Sequence, residues 1–241
     1  VTMKHKKSPA QVKAWAGLFS QMKGWNEVME FPKHPFRTHG GAAVPHHKNT
    51  WDIPTATMPP PEKVILPMQQ HIGAPCVPTV KKGDHVFVGT VVGDSDAYVC
   101  APVHSSVSGT VTEITSVMLT GGQMTQAVVV ESDGKMEHDP NIYPPASITS
   151  KEELAAAARS AGLVGLAHVK LNVPEGKTID TLIVNVAECE PYVTSDHREA
   201  LENGRNVLEG VYKVKDILGV QRVIIAVENN KPDVIAKLTE I

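Results

Sequence analysis

The chain has 241 residues, 41% of them apolar, 20% charged and 5% aromatic, with a formal net charge of −3 at pH 7. That length holds two ordinary domains or one large one, and the composition is that of a globular protein with a real core. The slight acidity, with no basic run beyond Lys6-Lys7 or Lys81-Lys82, argues against a general nucleic-acid binder, and the longest apolar runs are strand-sized, too short to span a bilayer.

In chain order, Val1 to Lys7 is basic, but the stretch after it lacks the continuous apolar run of a signal peptide. Residues 8–24 read as an amphipathic helix. Ser8 caps it, Pro9 opens it, Gly24 ends it, and Val12, Trp15, Phe19 and Met22 make its apolar stripe. Packing on its own domain is the expectation, and docking to a partner the alternative. Residues 31–62, rich in Pro, His, Gly and Thr, predict an extended, irregular arm, so 1–62 forms a first segment. His46-His47, with His34 and His39, raise a metal reading, but in such an arm solvated loop histidines are expected.

Residues 63–135 change character. Short β-branched runs such as Val64-Ile65-Leu66, Val86-Phe87-Val88, Thr90-Val91-Val92 and Val128-Val129-Val130 are punctuated by Gly83-Asp84, Gly93-Asp94, Gly121-Gly122 and Asp133-Gly134. That spacing predicts a small all-β barrel or sandwich. Val80 to Val86, with Ala101-Pro102-Val103 and Ser108-Gly109-Thr110-Val111, resembles the biotinyl/lipoyl-type barrel-sandwich hybrid. Members that carry a swinging cofactor need a lysine at the hairpin tip, and none lies between Lys82 and Lys135. The module is expected to be structural or interaction-bearing. Ser105-Ser106 near His104 lack an acidic orienter and read as a barrel turn. Cys76, Cys100 and Cys189 are widely separated and odd in number, which fits a reducing compartment. Without a CxxC they suggest no zinc or iron–sulfur ligand set.

From Thr149 helix and strand alternate, giving a third segment, 149–241. Ser150 with Glu153 is a capping box opening a helix to about Ala161. Residues 181–187 and 221–228 predict two buried strands, joined by a helix over 195–218, and Pro232 opens a last helix. Strand–helix–strand of this length is a right-handed parallel crossover, and ligands bind beyond the carboxyl ends of such strands. The expected fold is therefore α+β and multidomain: a barrel-sandwich hybrid followed by a Rossmann-like α/β parallel-sheet domain.

Both strand ends are polar, Glu188-Cys189-Glu190 on the first and Glu228-Asn229-Asn230 on the second. Two carboxylates two residues apart share a face of a strand, and burying them together is costly unless a ligand, metal or donor meets them. A metal site, an acid/base pair, a ligand-site pair and a solvated strand end all remain open on geometry. Cys189, flanked by carboxylates, is expected to be a poor nucleophile and a small packing residue.

Residues 181–198 resemble the RnfC family of electron transport complex subunits, whose motif is close to N-x-A-E-C-E-P-Y-x-T-S-D-x-R. Asn185, Ala187, Glu188, Cys189, Glu190, Pro191, Tyr192, Thr194, Ser195, Asp196 and Arg198 stand in register with it. The likeness runs from about residue 36 through residues 67–75, 97–109, 168–171 and 230–232. The alternating half is also similar to the flavin- and NADH-binding subunit of respiratory complex I. The resemblance implies FMN and NAD(H) as cofactors, with Gly165, Lys170, Asn185, Glu188, Cys189 and Glu190 as the residues that bind them. Asn185, Glu188 and Cys189 would line the flavin, Glu190 would meet the nicotinamide nucleotide, and Lys170 would lie near the flavin phosphate or ring.

Two positions depart from the pattern. Ala187 replaces an aspartate of the complex I relative, and the glycine-rich loop before His168-Val169-Lys170 is missing between Leu166 and Ala167. Either the loop is deleted or intervening residues are missing there; both flanks match the family, which favours the second. The family further implies iron–sulfur clusters in domains beyond Ile241, other subunits of a membrane redox complex as partners with ferredoxin reached indirectly, and a peripheral place on the cytoplasmic side of the membrane. A cobalamin reductase of the propanediol-utilisation type and a non-catalytic docking scaffold are the alternatives.

Overall fold

The structure is a computed structural model that describes residues 44–142, 147–164 and 176–241. The expected helix over 8–24, the proposed contacts Gly165 and Lys170, and the Leu166–Ala167 junction lie outside the described residues. Residues 44–62 carry turns but neither helix nor strand, as an irregular arm should.

Seven strands make the β-rich part: β1 (Lys63–Pro67), β2 (Val77–Pro78), β3 (His85–Val86), β4 (Val91–Asp94), β5 (Val103–His104), β6 (Gly109–Met118) and β7 (Met124–Ser132). One sheet runs β1-β7-β6-β3 and a second β2-β4-β5, all pairs antiparallel. The β6–β7 hairpin pairs Gly109 with Ser132 through to Met118 with Met124, and a bulge between Val111 and Glu113 bends it. Val111, Val128 and Val130 point inward and are fully buried with Met68, Val86, Val92 and Val107, making one apolar core between the sheets. Each such valine contributes about 1.5–3 kcal/mol relative to an exposed one. Two antiparallel sheets around one core meet the small all-β barrel or sandwich that the turn spacing predicts. Cys76 and Cys100, far apart in sequence, meet in that core with their Sγ atoms 3.5 Å apart.

Helix α1 (Lys151–Ser160) starts on the expected capping box: Ser150 Oγ accepts from the Glu153 N–H, and the Glu153 carboxylate accepts from the Ser150 N–H. Its last turn is tied to the end of β4, Arg159 donating to Asp94 at 2.6 Å and to the Ser95 carbonyl at 2.8 Å.

Strands β8 (Thr181–Asn185) and β9 (Arg222–Ala226) pair with each other, linked by α2 (Ser195–Leu218), and α3 (Pro232–Glu240) follows. Arg222 N–H donates to the Asp180 carbonyl and Val186 N–H to the Ala226 carbonyl, so the two strands run parallel. The apolar runs predict burial of both strands, and neither is buried: β9 is half-buried and Ile183 of β8 is 65% exposed. An apolar run is buried on both faces only where layers cover both, and among the described residues this sheet has two strands. Helix α2 kinks at Asn203 (φ −123°, ψ 18°). A Cβ on the adjacent Gly204 would lie 3.1 Å from Leu238 and Ile241, so glycine there admits the end of α3.

The chain divides into two compact units. One gathers 44–54, 185–207 and 226–241 of the described chain; the other gathers the described residues of 55–184 and 208–225. Among the described residues no helix is long and apolar enough to cross a membrane.

Candidate functional site

The motif after β8 does not continue as a strand. Asn185 ends β8 and its side-chain oxygen accepts from the Ala187 N–H, turning the chain off the sheet. Strand alternation lapses there, and the two glutamates part. Glu188 turns inward and is 1% exposed, whereas Cys189 and Glu190 face solvent. The expectation that Glu188 and Glu190 share a face is thus overturned, and so is the reading of Cys189 as a packing residue.

The Glu188 carboxylate is bonded from within the fold. Oε1 accepts from the Asp196 N–H at 2.8 Å and from Ser195 Oγ at 3.3 Å, both in the first turn of α2. Oε2 faces Lys48 Nζ at 3.4 Å and Lys231 Nζ at 3.5 Å. A carboxylate at a helix N-terminus meets oriented N–H donors and the positive end of the helix dipole. Burial pushes the Glu188 carboxyl up, but the Asp196 amide and the charges of Lys231 and Lys48 outweigh it and hold the group below the ordinary glutamate value. The polar ends of both strands do converge, because Lys231 also pairs with Glu228 at 2.8 Å. Lys231, with burial opposing it, holds the Glu228 carboxyl down as well. Two carboxylates and two ammonium groups make a charge-balanced cluster.

The arm residues fasten this loop. Lys48 Nζ donates to the carbonyls of Glu188 (2.6 Å) and Val193 (2.7 Å), and the Thr50 and Thr194 hydroxyls meet at 2.7 Å. Tyr192, in the left-handed region at φ 69°, donates its N–H to the His46 carbonyl, and the His47 ring stacks on it at 5.1 Å. Arg198 donates to the Trp51 carbonyl at 3.3 Å. His197, buried, meets Asp233 at 2.8 Å.

Lys48, Lys231 and the amide of Asp196 are therefore structural partners of the motif that the residue pattern alone does not single out. Lys231 lies in the Asn230-Lys231-Pro232 segment that carries part of the family likeness. Lys48 sits in the arm, where nothing in spacing or periodicity ties it to a residue 140 positions away. What remains turned to solvent at the strand end is a rim of Asn185, Cys189, Glu190 and Tyr192. Such a rim can meet a ligand from outside; Glu188 stands behind it, its carboxylate already bonded.

Comparison with known proteins bears on what that rim serves. Residues 36–135 match the RnfC barrel sandwich hybrid domain and residues 159–241 the Nuo51 FMN-binding domain. The chain is 40% identical over 210 residues to the C subunit of the Na(+)-translocating ferredoxin:NAD(+) oxidoreductase complex of Acetobacterium woodii, an alignment covering 83% of this chain and 47% of the relative. With the C subunit of the proton-translocating counterpart in Clostridium ljungdahlii it shares 42% over 198 residues, covering 78% and 43%. With the C subunit of the ion-translocating oxidoreductase complex of Rhodobacter capsulatus it shares 34% over 220 residues, covering 86% and 42%. The chain spans just under half the length of these curated relatives.

Proposed function

The chain belongs to the RnfC family, and from that membership we propose that it supplies the flavin- and nicotinamide-binding part of a ferredoxin:NAD oxidoreductase subunit. The match of residues 159–241 to an FMN-binding domain carries the proposal. The residues present suit a flat polar ring: Asn185, Cys189 and Glu190 edge the carboxyl end of β8 and are exposed, on a loop stiffened from behind by the charge-balanced cluster. When bound, FMN would supply the chemistry that links two-electron hydride exchange to one-electron transfer.

The chain's own residues would hold and orient. Asn185 and Cys189 would lie against the flavin, and Glu190 would meet the nicotinamide nucleotide. Gly165 and Lys170 are proposed for the phosphate side. Glu188 gives up its carboxylate to Lys48, Lys231 and the Asp196 amide, so its part is to fix the loop. The acidic pair therefore does not form a joint hollow for the ligand, and the redox assignment rests on family membership.

The division into a 63–135 barrel module and a 149–241 flavin module, the barrel's role as an interaction surface, attachment to other subunits of a membrane redox complex, the indirect link to ferredoxin and a peripheral cytoplasmic site belong to the same proposal.

Titrating FMN into the purified whole subunit tests it. One flavin per chain with quenched fluorescence is expected, and Glu190→Gln should leave FMN affinity intact while weakening NAD(H) binding about tenfold, or about 1.4 kcal/mol. A protein that binds no flavin would remove the proposal, and an unchanged NAD(H) affinity in the variant would remove Glu190 from it.

A further inference from the structure

Three residues of the β-rich part meet where no motif announces a site. His71, Cys76 and Cys100 bring one ligating atom each to within 4.8 Å of one another, and the cysteines are only 4% and 2% exposed. A fourth donor, the Ala101 carbonyl oxygen, sits among them. It lies 3.2 Å from Cys76 Sγ, 3.7 Å from Cys100 Sγ and 3.4 Å from His71 Nε2, and the two sulfurs are 3.5 Å apart. In a tetrahedral site with zinc–sulfur bonds of about 2.3 Å and zinc–nitrogen bonds of about 2.0–2.1 Å, donor atoms are separated by roughly 3.4–3.8 Å. The sulfur–sulfur separation and the three distances to the Ala101 oxygen lie close to that figure, and the His71 nitrogen lies within 4.8 Å of the sulfurs, so the ring must close in on the cation.

We propose that His71, Cys76 and Cys100, with the Ala101 carbonyl at the fourth vertex, bind a divalent zinc-class cation within the barrel-sandwich domain. The donor set is soft enough for zinc and its tetrahedral analogues. Two thiolates neutralise a divalent cation, so the buried cluster carries no net charge, which the apolar surroundings require. Ahead of metal binding, burial, then the hydrogen bond with Cys100, push the Cys76 thiol up to about 12. Binding breaks two S–H bonds, forms two metal–sulfur bonds and sends two protons to solvent, with no electrons moved.

Two backbone contacts hold the His71 ring beside the sulfurs, Nδ1 accepting from the Gly73 N–H at 2.9 Å and Nε2 lying 3.3 Å from the Ala101 amide nitrogen; ligation through Nε2 moves the ring proton to Nδ1 and breaks the Gly73 contact. Glycine is needed at 73, since a Cβ there would collide with the Val99 carbonyl oxygen and crowd the His71 ring at 2.7 Å. A surface hollow lined by Asp94, Ser95, Tyr98, Cys100 and Arg159 reaches the Cys100 side of the cluster.

The test uses the whole chain, purified reduced and stripped of metal, titrated with Zn²⁺ and with Co²⁺ as a spectroscopic probe. Expected are one cation per chain, a thiolate-to-cobalt charge-transfer band, and an affinity that climbs about 100-fold per pH unit, the mark of two protons released. Cys76→Ser and Cys100→Ser should each weaken binding at least about 100-fold, beyond what loss of an outer-shell partner gives. Should the serine variants misfold, the charge-transfer band and the proton count on the unaltered chain still decide. A chain that binds no cation, binds it without the charge-transfer band or proton release, keeps its affinity in the serine variants, or forms a Cys76–Cys100 disulfide that metal does not prevent would overturn the proposal.

Discussion

Glu188 and Glu190 are chemically alike and two positions apart, yet the structure gives them opposite fates. The cause is one turn: once Asn185 takes the Ala187 amide, the chain leaves the sheet and the side chains no longer alternate on its faces. Glu188 then becomes the anion that two lysines and a helix terminus share. Replacing it with Gln keeps the shape but leaves Lys48 and Lys231, both largely buried, short of a counter-charge. Removing one member of a buried ion pair costs about 3 kcal/mol, so Glu188→Gln should lower stability by that order at pH 7, read from urea unfolding. A loss under about 0.5 kcal/mol would mean that the lysines reach water and that the cluster does not hold the loop.

At the scale of elements, local signals are legible in the sequence. The capping box of α1 is readable because Ser150 and Glu153 contact each other three residues apart, and Ser150→Ala should cost about 1 kcal/mol of stability in the same unfolding measurement. The β6–β7 hairpin is readable from β-branched alternation and the Gly121-Gly122 turn. Its demand on Gly109 is not, because that demand comes from the partner strand. Gly109 has φ 156°, and a Cβ there would collide with the Glu131 carbonyl oxygen. Gly109→Ala is therefore expected to destabilise by about 2–3 kcal/mol through backbone strain, and a wild-type denaturation midpoint would show that the hairpin shifts to make room. The exposure of β8 and β9 escapes the sequence for a related reason. Periodicity reports which residues are apolar, while cover on each face depends on layers contributed from elsewhere in the chain. Lys48 and the Cys76–Cys100 meeting are hidden on the same ground: tertiary contact without a sequence period leaves no pattern to read.

At the scale of the whole molecule, the two units lean on different physics. The β-rich unit is held by an apolar core of valines with Leu66 and Met68, and of its lowered carboxyls Asp133 and Glu153 face solvent and Asp139 is half-buried, so their interactions are largely screened. The other unit holds Glu188, Glu228 and Asp233. Lys231 lowers Glu228 directly, while for Glu188 and Asp233 burial raises the group and ion-pair and hydrogen-bond partners more than cancel it. A carboxyl whose folded value lies below its unfolded one stabilises the native state above the unfolded value, about 3.9 for Asp and 4.3 for Glu. That stability drains away as pH falls through the lower, folded value. Acid should therefore loosen residues 185–207 and 226–241 before the strands of 63–132. Amide hydrogen exchange followed from pH 7 down to about 3 would read the order directly, once rates are corrected for intrinsic pH dependence. Earlier loss of protection in β1, β6 and β7 than around Glu188 would mean that the ion cluster contributes little and that the barrel core is the weaker of the two.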